Sequence, residues 1–138
     1  GIPVTALIAP LIPGLNDHEL EKLLAAAKEH GASSARYTVL RLPHEVAPLF
    51  RDWLSWHAPE KAARVMSVLY DLRGQRVNDP NFGSRMTGLG HFADLLRQRF
   101  SLACRRLELN HDWPRLDTTR FVAPPPRDPP ATRQLSLF

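Results

Sequence analysis

The first forty residues contain two short apolar runs separated by one amphipathic segment. Residues 4–9 (VTALIA) and 37–42 (YTVLRL) are typical of strands, and the first is apolar enough to be buried on both faces. Between them, apolar positions recur with helical spacing at Leu20, Leu23, Leu24 and Ala27. We expect Asn16-Asp17 to cap this helix and Gly31 to end it.

This order of elements predicts a β-α-β unit. One helix between two strands implies a parallel pair with a right-handed crossover. A sheet of two strands is marginal, and at least two more are needed for a stable sheet. No further strand pattern follows in the chain.

The chain downstream of the second strand has helical periodicity. It predicts helices over residues 43–57, over residues 59–73 with Pro59 at the first position, and over residues 89–107. The inward faces are expected to hold Val46, Leu49, Phe50, Trp53 and Leu54, then Ala62, Val65, Met66 and Leu69, then Phe92, Leu95, Leu96, Phe100, Ala103 and Cys104. From His111 the pattern is irregular, and prolines at 124–126 and 129–130 predict an extended spacer.

These patterns place the chain in the α/β class and suggest three regions. They are a β-α-β unit (1–42), a mostly helical region (43–121) and an extended proline-rich tail (122–138). With 138 residues, there is room for one modest core.

Charge and cysteine content narrow the function classes. The formal net charge is +4, and only three of the 18 basic residues are lysine. Arginine forks suit phosphate and carboxylate, so a nucleic-acid partner fits. No apolar stretch is long enough to span a membrane, and the single cysteine excludes a disulfide framework. We therefore expect a cytoplasmic protein.

The loop after the first strand, residues 10–17 (PLIPGLND), is one candidate site. Ligands of parallel α/β sheets sit beyond the carboxyl ends of the strands. Gly14 would let a ligand approach the backbone, and the helix start at Asn16 would offer N–H groups. The alternative is a capped helix start behind a rigid turn.

A second candidate is the polar, glycine-rich loop at residues 78–90. Asp79, Arg85 and His91 could contact an anionic or nucleotide substrate, with Arg41 as a further candidate at the end of the second strand. The alternative is a structural loop in which Asp79 pairs with Arg85. The other histidines have no metal-ligand spacing, and no metal site is predicted.

The last predicted helix carries a basic stripe. Arg97, Arg105 and Arg106 are candidates for DNA phosphate contacts, and Arg99 belongs to the same stripe. A solvated helix face is the alternative.

The C-terminal pentapeptide resembles a known partner motif. Gln134, Leu135, Ser136, Leu137 and Phe138 match all five positions of the motif that docks bacterial polymerases and repair proteins on the β sliding clamp of DNA polymerase III. The resemblance implies that Gln134 anchors the polar end and that Leu137 and Phe138 fill the hydrophobic pocket. A tail folded back on its own domain is the alternative.

A longer resemblance covers most of the chain. Segments 9–17 (APLIPGLND), 35–54 (ARYTVLRLPHEVAPLFRDWL), 79–90 (DPNFGSRMTGLG) and 116–121 (LDTTRF) resemble, in order, the C-terminal part of radical S-adenosylmethionine (radical SAM) proteins related to spore photoproduct lyase, the DNA repair photolyase-like family. That resemblance implies the late part of a partial β/α barrel. It also implies S-adenosylmethionine and a [4Fe–4S] cluster in the complete protein.

One departure from the family pattern affects the chemistry. The cluster motif of three cysteines, CxxxCxxC, is absent, so this chain alone is expected to bind no cluster and to be inactive. By resemblance, the chain would supply a cofactor-side loop (Pro13, Gly14, Asn16) and a substrate-side surface. The missing N-terminal half of the barrel would then be a partner.

Two functional hypotheses follow. The first is the C-terminal portion of a bacterial radical SAM enzyme that is associated with DNA and tethered to the clamp. The second is a non-catalytic adaptor that binds DNA weakly and is tethered in the same way.

Overall fold

The computed structural model describes residues 2–111 and 117–125 and has a mixed α/β fold. The described part contains a two-stranded parallel sheet and four α-helices. The elements are β1 (Thr5–Leu11), a 3-10 helix (Asp17–Glu19), α1 (Leu20–Glu29), β2 (Ser34–Val39), α2 (Val46–His57), α3 (Pro59–Leu72) and α4 (Gly90–Arg106). The α/β class is confirmed, while the three-region division stays a prediction.

The two strands pair in parallel, as predicted, although β2 lies three residues earlier than its apolar run. Thr5 stands opposite Ser34, and their hydroxyl oxygens are 2.6 Å apart. The outer edge of β2 is held by Asn110, whose side chain accepts from Ala35 N–H at 2.9 Å and donates to Ala35 C=O at 3.1 Å. These bonds extend the strand over polar positions that the apolar pattern alone does not include.

The sheet is covered on one face only, so the prediction that the first strand is buried on both faces was wrong. Ile8, Leu11 and Val39 lie in the core with Leu20, Leu24 and Leu96. On the opposite face Leu7 is 63% exposed, and Arg36 is exposed as well. The helices of the described region leave that face open.

The start of α1 differs from the prediction, whereas its end is confirmed. Neither Asn16 nor Asp17 caps a helix with its side chain, because α1 begins at Leu20 behind the short 3-10 helix. Both side chains bond back into the preceding loop instead. Gly31 ends α1 with its N–H on Lys28 C=O at 3.0 Å.

The helix positions match the predictions more closely than their buried faces do. Pro59 begins α3, as predicted. In α2, however, Leu54 and Ala47 are buried, while Leu49 is 66% and Trp53 43% exposed. The helix packs mainly against α3, so one neighbour covers only part of its apolar stripe. Three more residues predicted to face inward are also exposed: Leu23, Val46 and Leu95.

No helix in the described ranges is both long enough and apolar enough to cross a membrane.

Candidate functional site

The two candidate loops lie at the same end of the sheet. Both strands run in the same direction, and at their carboxyl ends Leu40 N–H donates to Leu11 C=O at 2.9 Å. The second loop joins them there, because Val39 N–H donates to Met86 C=O at 2.8 Å. Residues far apart in sequence thus meet at the edge where parallel α/β folds bind ligands.

The loop after β1 is stabilised by its own polar side chains. Asp17 Oδ1 accepts from Gly14 N–H at 2.6 Å, and Asn16 Oδ1 accepts from Ile12 N–H at 2.7 Å. The Asn16 amide also donates to Pro10 C=O at 3.0 Å. Pro13 is fully buried, whereas Gly14 is exposed with φ +74°. The N–H groups of Ile12 and Gly14 are therefore already used within the loop, and the predicted role of Pro13, Gly14 and Asn16 in cofactor binding stays a prediction.

Arg73 connects the second loop to the sheet. Its guanidinium donates to Leu40 C=O at 2.6 Å, to Val39 C=O at 3.2 Å and to Arg85 C=O at 2.7 Å. The side chain is buried, and burial lowers its pKa; the nearby Asp79 carboxylate opposes that shift, whereas the charge of Arg41 adds to it. Arg73 was missed from the sequence because an arginine before Gly74 is an ordinary helix end.

Asp79 is buried and stabilises the second loop through hydrogen bonds within that loop. The carboxylate accepts from Asn81 N–H at 2.9 Å and from the Ser84 hydroxyl. The Ser84 hydrogen bond is the main reason why the pKa of Asp79 is lowered; the Asn81 N–H and the charges of Arg73 and Arg76 act in the same direction. The described Asp79 contacts are with Asn81 and Ser84, so the structural loop of the alternative is present, without the expected pairing of Asp79 with Arg85.

Arg41 and Arg85 each have one guanidinium nitrogen without an acceptor. The Nε atom of each is shielded from solvent and has no hydrogen-bond partner in residues 2–111 and 117–125. The Arg85 guanidinium lies 4.6 Å from the centre of the Phe82 ring, and Phe82 is 83% exposed. We call Arg41, Arg73, Arg85 and Phe82 the arginine cluster.

His91 does not join the arginine cluster. It is exposed in the first turn of α4 and forms no hydrogen bond with Arg41, Asp79 or Arg85 in the structure.

The basic stripe of α4 divides into separate groups. Arg97 and Arg105 line one shallow groove of about 370 Å³, and Arg97 also pairs with Asp94 at 2.5 Å. Arg106 follows Arg97 by nine residues, which places it on the opposite side of a helix with 3.6 residues per turn. Of the three candidates for DNA phosphate contacts, Arg97 and Arg105 therefore share a surface, and Arg106 lies apart from them.

Arg99 forms a contact between helices. Its guanidinium binds the Glu21 carboxylate at 2.7 Å and lies 3.6 Å from that of Asp17. The hydrogen bond from Arg99 is the main reason why the pKa of Glu21 is lowered. Arg99 thereby joins α4 to α1 and is not available as a surface cation.

Cys104 is a core residue. Its side chain is buried, burial raises the pKa of the thiol, and the nearest polar group is the Asn110 amide nitrogen at 3.6 Å. Within the residues that the structure describes, no three His, Cys, Asp or Glu side chains are grouped so that they could hold a metal ion.

A cavity of about 400 Å³ opens on the uncovered face of the sheet. It extends around β2 from that face to α4 and reaches the second loop. Its lining residues are Leu7, Arg36, Tyr37, Thr38, Met86, Thr87 and Phe100. The predicted clamp motif, Gln134 to Phe138, lies outside the described residues.

Comparisons of this chain with family models, with curated proteins and with solved structures found no match.

Proposed function

We propose that this chain is the C-terminal portion of a bacterial radical SAM enzyme that acts on or near DNA in the cytoplasm. The observation that carries the proposal is the meeting of the two motif-bearing loops at the carboxyl ends of parallel strands. Val39 N–H on Met86 C=O brings the 79–90 segment to the end of β2, and the 9–17 segment follows β1. This is where a β/α barrel assembles its active site.

The open face of the sheet supports a barrel that is continued by another part of the protein. A strand in a closed barrel has one side chain set toward the helices and the other toward the interior. Here the helices cover one set, and Leu7 with Arg36 forms the other beside the 400 Å³ cavity. In this proposal the N-terminal half of the barrel pairs with β1 and encloses that face.

The residues of this chain do not fit the iron–sulfur cluster that the family resemblance implies. A [4Fe–4S] cluster needs several thiolates, and the only cysteine, Cys104, is buried in the core beside Asn110. No catalytic step through the cluster is therefore assigned to this chain. The thiolates would come from the N-terminal half, with S-adenosylmethionine bound against the Pro13–Gly14 loop.

The alternative is a non-catalytic adaptor that binds DNA through Arg97 and Arg105 and the clamp through its tail. The sequence encoded upstream of this chain separates the two. A CxxxCxxC motif in the preceding ~200 residues, a length expected from the size of a barrel, supports the enzyme. An upstream segment without that motif overturns the enzyme and leaves the adaptor.

The tether to the clamp is tested by titrating the intact chain and a chain lacking Leu137 and Phe138 against a purified bacterial sliding clamp. The apolar side chains of the motif are the anchors, and the cost of ordering a free peptide offsets part of what their burial contributes. Affinity should be on the order of micromolar. The truncated chain should not bind and should melt at the same temperature. Equal binding by both chains, or by neither, contradicts the tether.

A further inference from the structure

The arginine cluster has a surplus of positive charge at the carboxyl end of β2. Arg73 bonds there to the backbone of Arg85 and of Leu40, the residue before Arg41, and its pKa is affected by the charges of Arg41 and Asp79. The Asp79 carboxylate is already hydrogen-bonded to Asn81 and Ser84. Arg73 is satisfied by three backbone carbonyl groups. Arg41 and Arg85 each keep a shielded Nε–H with no acceptor.

A shielded guanidinium N–H without a partner is costly, because that N–H has lost its hydrogen bond to water and has no protein acceptor in its place. Native structures rarely keep such groups unless a ligand, an ion or a water molecule satisfies them. Guanidinium groups prefer planar or tetrahedral oxyanions, to which two parallel N–H groups can donate. The two side chains thus indicate an anionic ligand.

Phe82 indicates what the anion is attached to. The ring is 83% exposed on the same loop, with Arg85 4.6 Å from its centre. An exposed aromatic ring beside arginines is the arrangement by which proteins hold unpaired nucleotides, with the base on the ring and the phosphate on the cations. A base in a duplex has no free face to offer, so the ring favours a single strand.

We propose that the arginine cluster binds one nucleotide of a single-stranded nucleic acid, with the phosphate on Arg41 and Arg85 and the base on Phe82. This inference rests on the proposed association with DNA and extends it by naming the subsite. Arg73 acts as a positioning residue, because it fixes the Arg85 backbone against the end of β2.

The test measures the affinity of the 138-residue chain for a fluorescent oligothymidylate of about eight nucleotides, a length within the site sizes of single-strand binders. Arg41→Gln, Arg85→Gln and Phe82→Leu should each weaken binding about fivefold or more. Each arginine variant loses a charged contact with the phosphate, the Phe82 variant loses base stacking, and either loss weakens binding by at least about that factor. Phe82→Trp should keep the affinity, because the larger ring still stacks. Arg64→Gln, at an exposed arginine on α3, is the matched control for charge and should change affinity much less.

Stability measurements separate a binding role from a structural one. The Nε–H of Arg41 has no acceptor within the described residues, and the charge of Arg41 acts on Arg73. Arg41→Gln should therefore leave the melting temperature unchanged or raise it while binding falls. Inorganic phosphate should raise the melting temperature of the unaltered chain more than that of Arg41→Gln.

Three results overturn the proposal: equal affinity for all variants, an equal loss in Arg64→Gln, or loss in the arginine variants with none in Phe82→Leu. The last result would leave a simple oxyanion site. Clamp titration of the same variants is independent of the subsite, so failure of the subsite and failure of the proposed tether can be told apart.

Discussion

Individual arginines of this chain have very different roles, which a count of basic residues does not distinguish. Arg73 is buried and bonded to three carbonyl groups, Arg99 joins two helices through Glu21, and Arg97 pairs with Asp94 at the surface. The side-chain surroundings decide which of these contributes to stability. A buried, fully bonded guanidinium contributes most, and an exposed pair contributes little.

Arg73→Met should therefore lower the free energy of unfolding substantially. The change removes three hydrogen bonds from a charged donor and leaves the carbonyl groups of Val39, Leu40 and Arg85 without that donor. The free energy of unfolding should therefore fall by about 3–5 kcal/mol. Urea unfolding followed by circular dichroism measures it. Arg64→Met, at an exposed position on α3, is the control and should cost less than about 0.5 kcal/mol. Similar losses in the two variants would show that Arg73 does not anchor the loop.

The Glu21–Arg99 pair predicts a pH dependence of stability. The pKa of Glu21 is lowered in the folded chain from its ordinary value of 4.5, so the pair contributes stability above that value and loses it as the pH falls through the lowered pKa. At neutral pH, Glu21→Gln should cost less than about 1 kcal/mol, because the Glu21 side chain is 45% exposed. Thermal unfolding from pH 7 to pH 2.5 should show the two chains converging in acid. A difference that grows as the pH falls would contradict this assignment.

At the scale of elements, local signals predict where helices lie but not which face is covered. Pro59 begins α3 and Gly31 follows α1 because the proline ring and the left-handed glycine act within one turn of chain. The start of β2 depends on Asn110, which is 75 residues from Ala35. Leu49 and Trp53 have the spacing of a core face and are exposed, since burial depends on the neighbouring helix and not on the periodicity.

The loop before α4 packs closely against the end of α3, where Gly88 lies next to Leu72. Gly88 has φ +82°, and a Cβ atom there would lie 2.8 Å from Leu72 Cδ2 and 3.3 Å from Leu72 C=O. At Gly14, with φ +74°, the nearest atom would be Val65 Cγ2 at an ordinary 3.6 Å. Both alanine variants should lose about 1–2 kcal/mol to the left-handed backbone, and Gly88→Ala about 1–3 kcal/mol more through the steric overlap. Chemical unfolding of the two variants compares them directly. An equal loss would mean that the loop moves away from Leu72 at little cost.

At the scale of the whole molecule, the candidate site could be predicted only in part. The sequence pointed to Arg41, Asp79 and Arg85, which the fold brings to one end of the sheet, and it included His91, which lies apart from them. Arg73 was not predictable, because its role depends on three carbonyl groups brought together by β2 and the second loop. Phe82 has no signal of its own within segment 79–90, and its significance comes from the Arg85 guanidinium beside its ring.

The uncovered sheet face predicts how the whole chain behaves in solution. Leu7 is 63% exposed on β1, and within the described residues β1 pairs only with β2. An apolar, unpaired strand edge promotes association between chains, and a lysine on such an edge opposes it. Leu7→Lys should reduce self-association in analytical ultracentrifugation and lower the fluorescence of a hydrophobic dye.

The same substitution should change the free energy of unfolding by less than about 0.5 kcal/mol, because it adds charge where water already reaches. Ile8→Lys, one residue along and facing the core, should prevent folding. Self-association that is unchanged in Leu7→Lys would mean that this face does not mediate the association between chains. A large loss of stability in Leu7→Lys would mean that the face is covered within the chain, and the proposal that another part of a barrel closes over it would then fail.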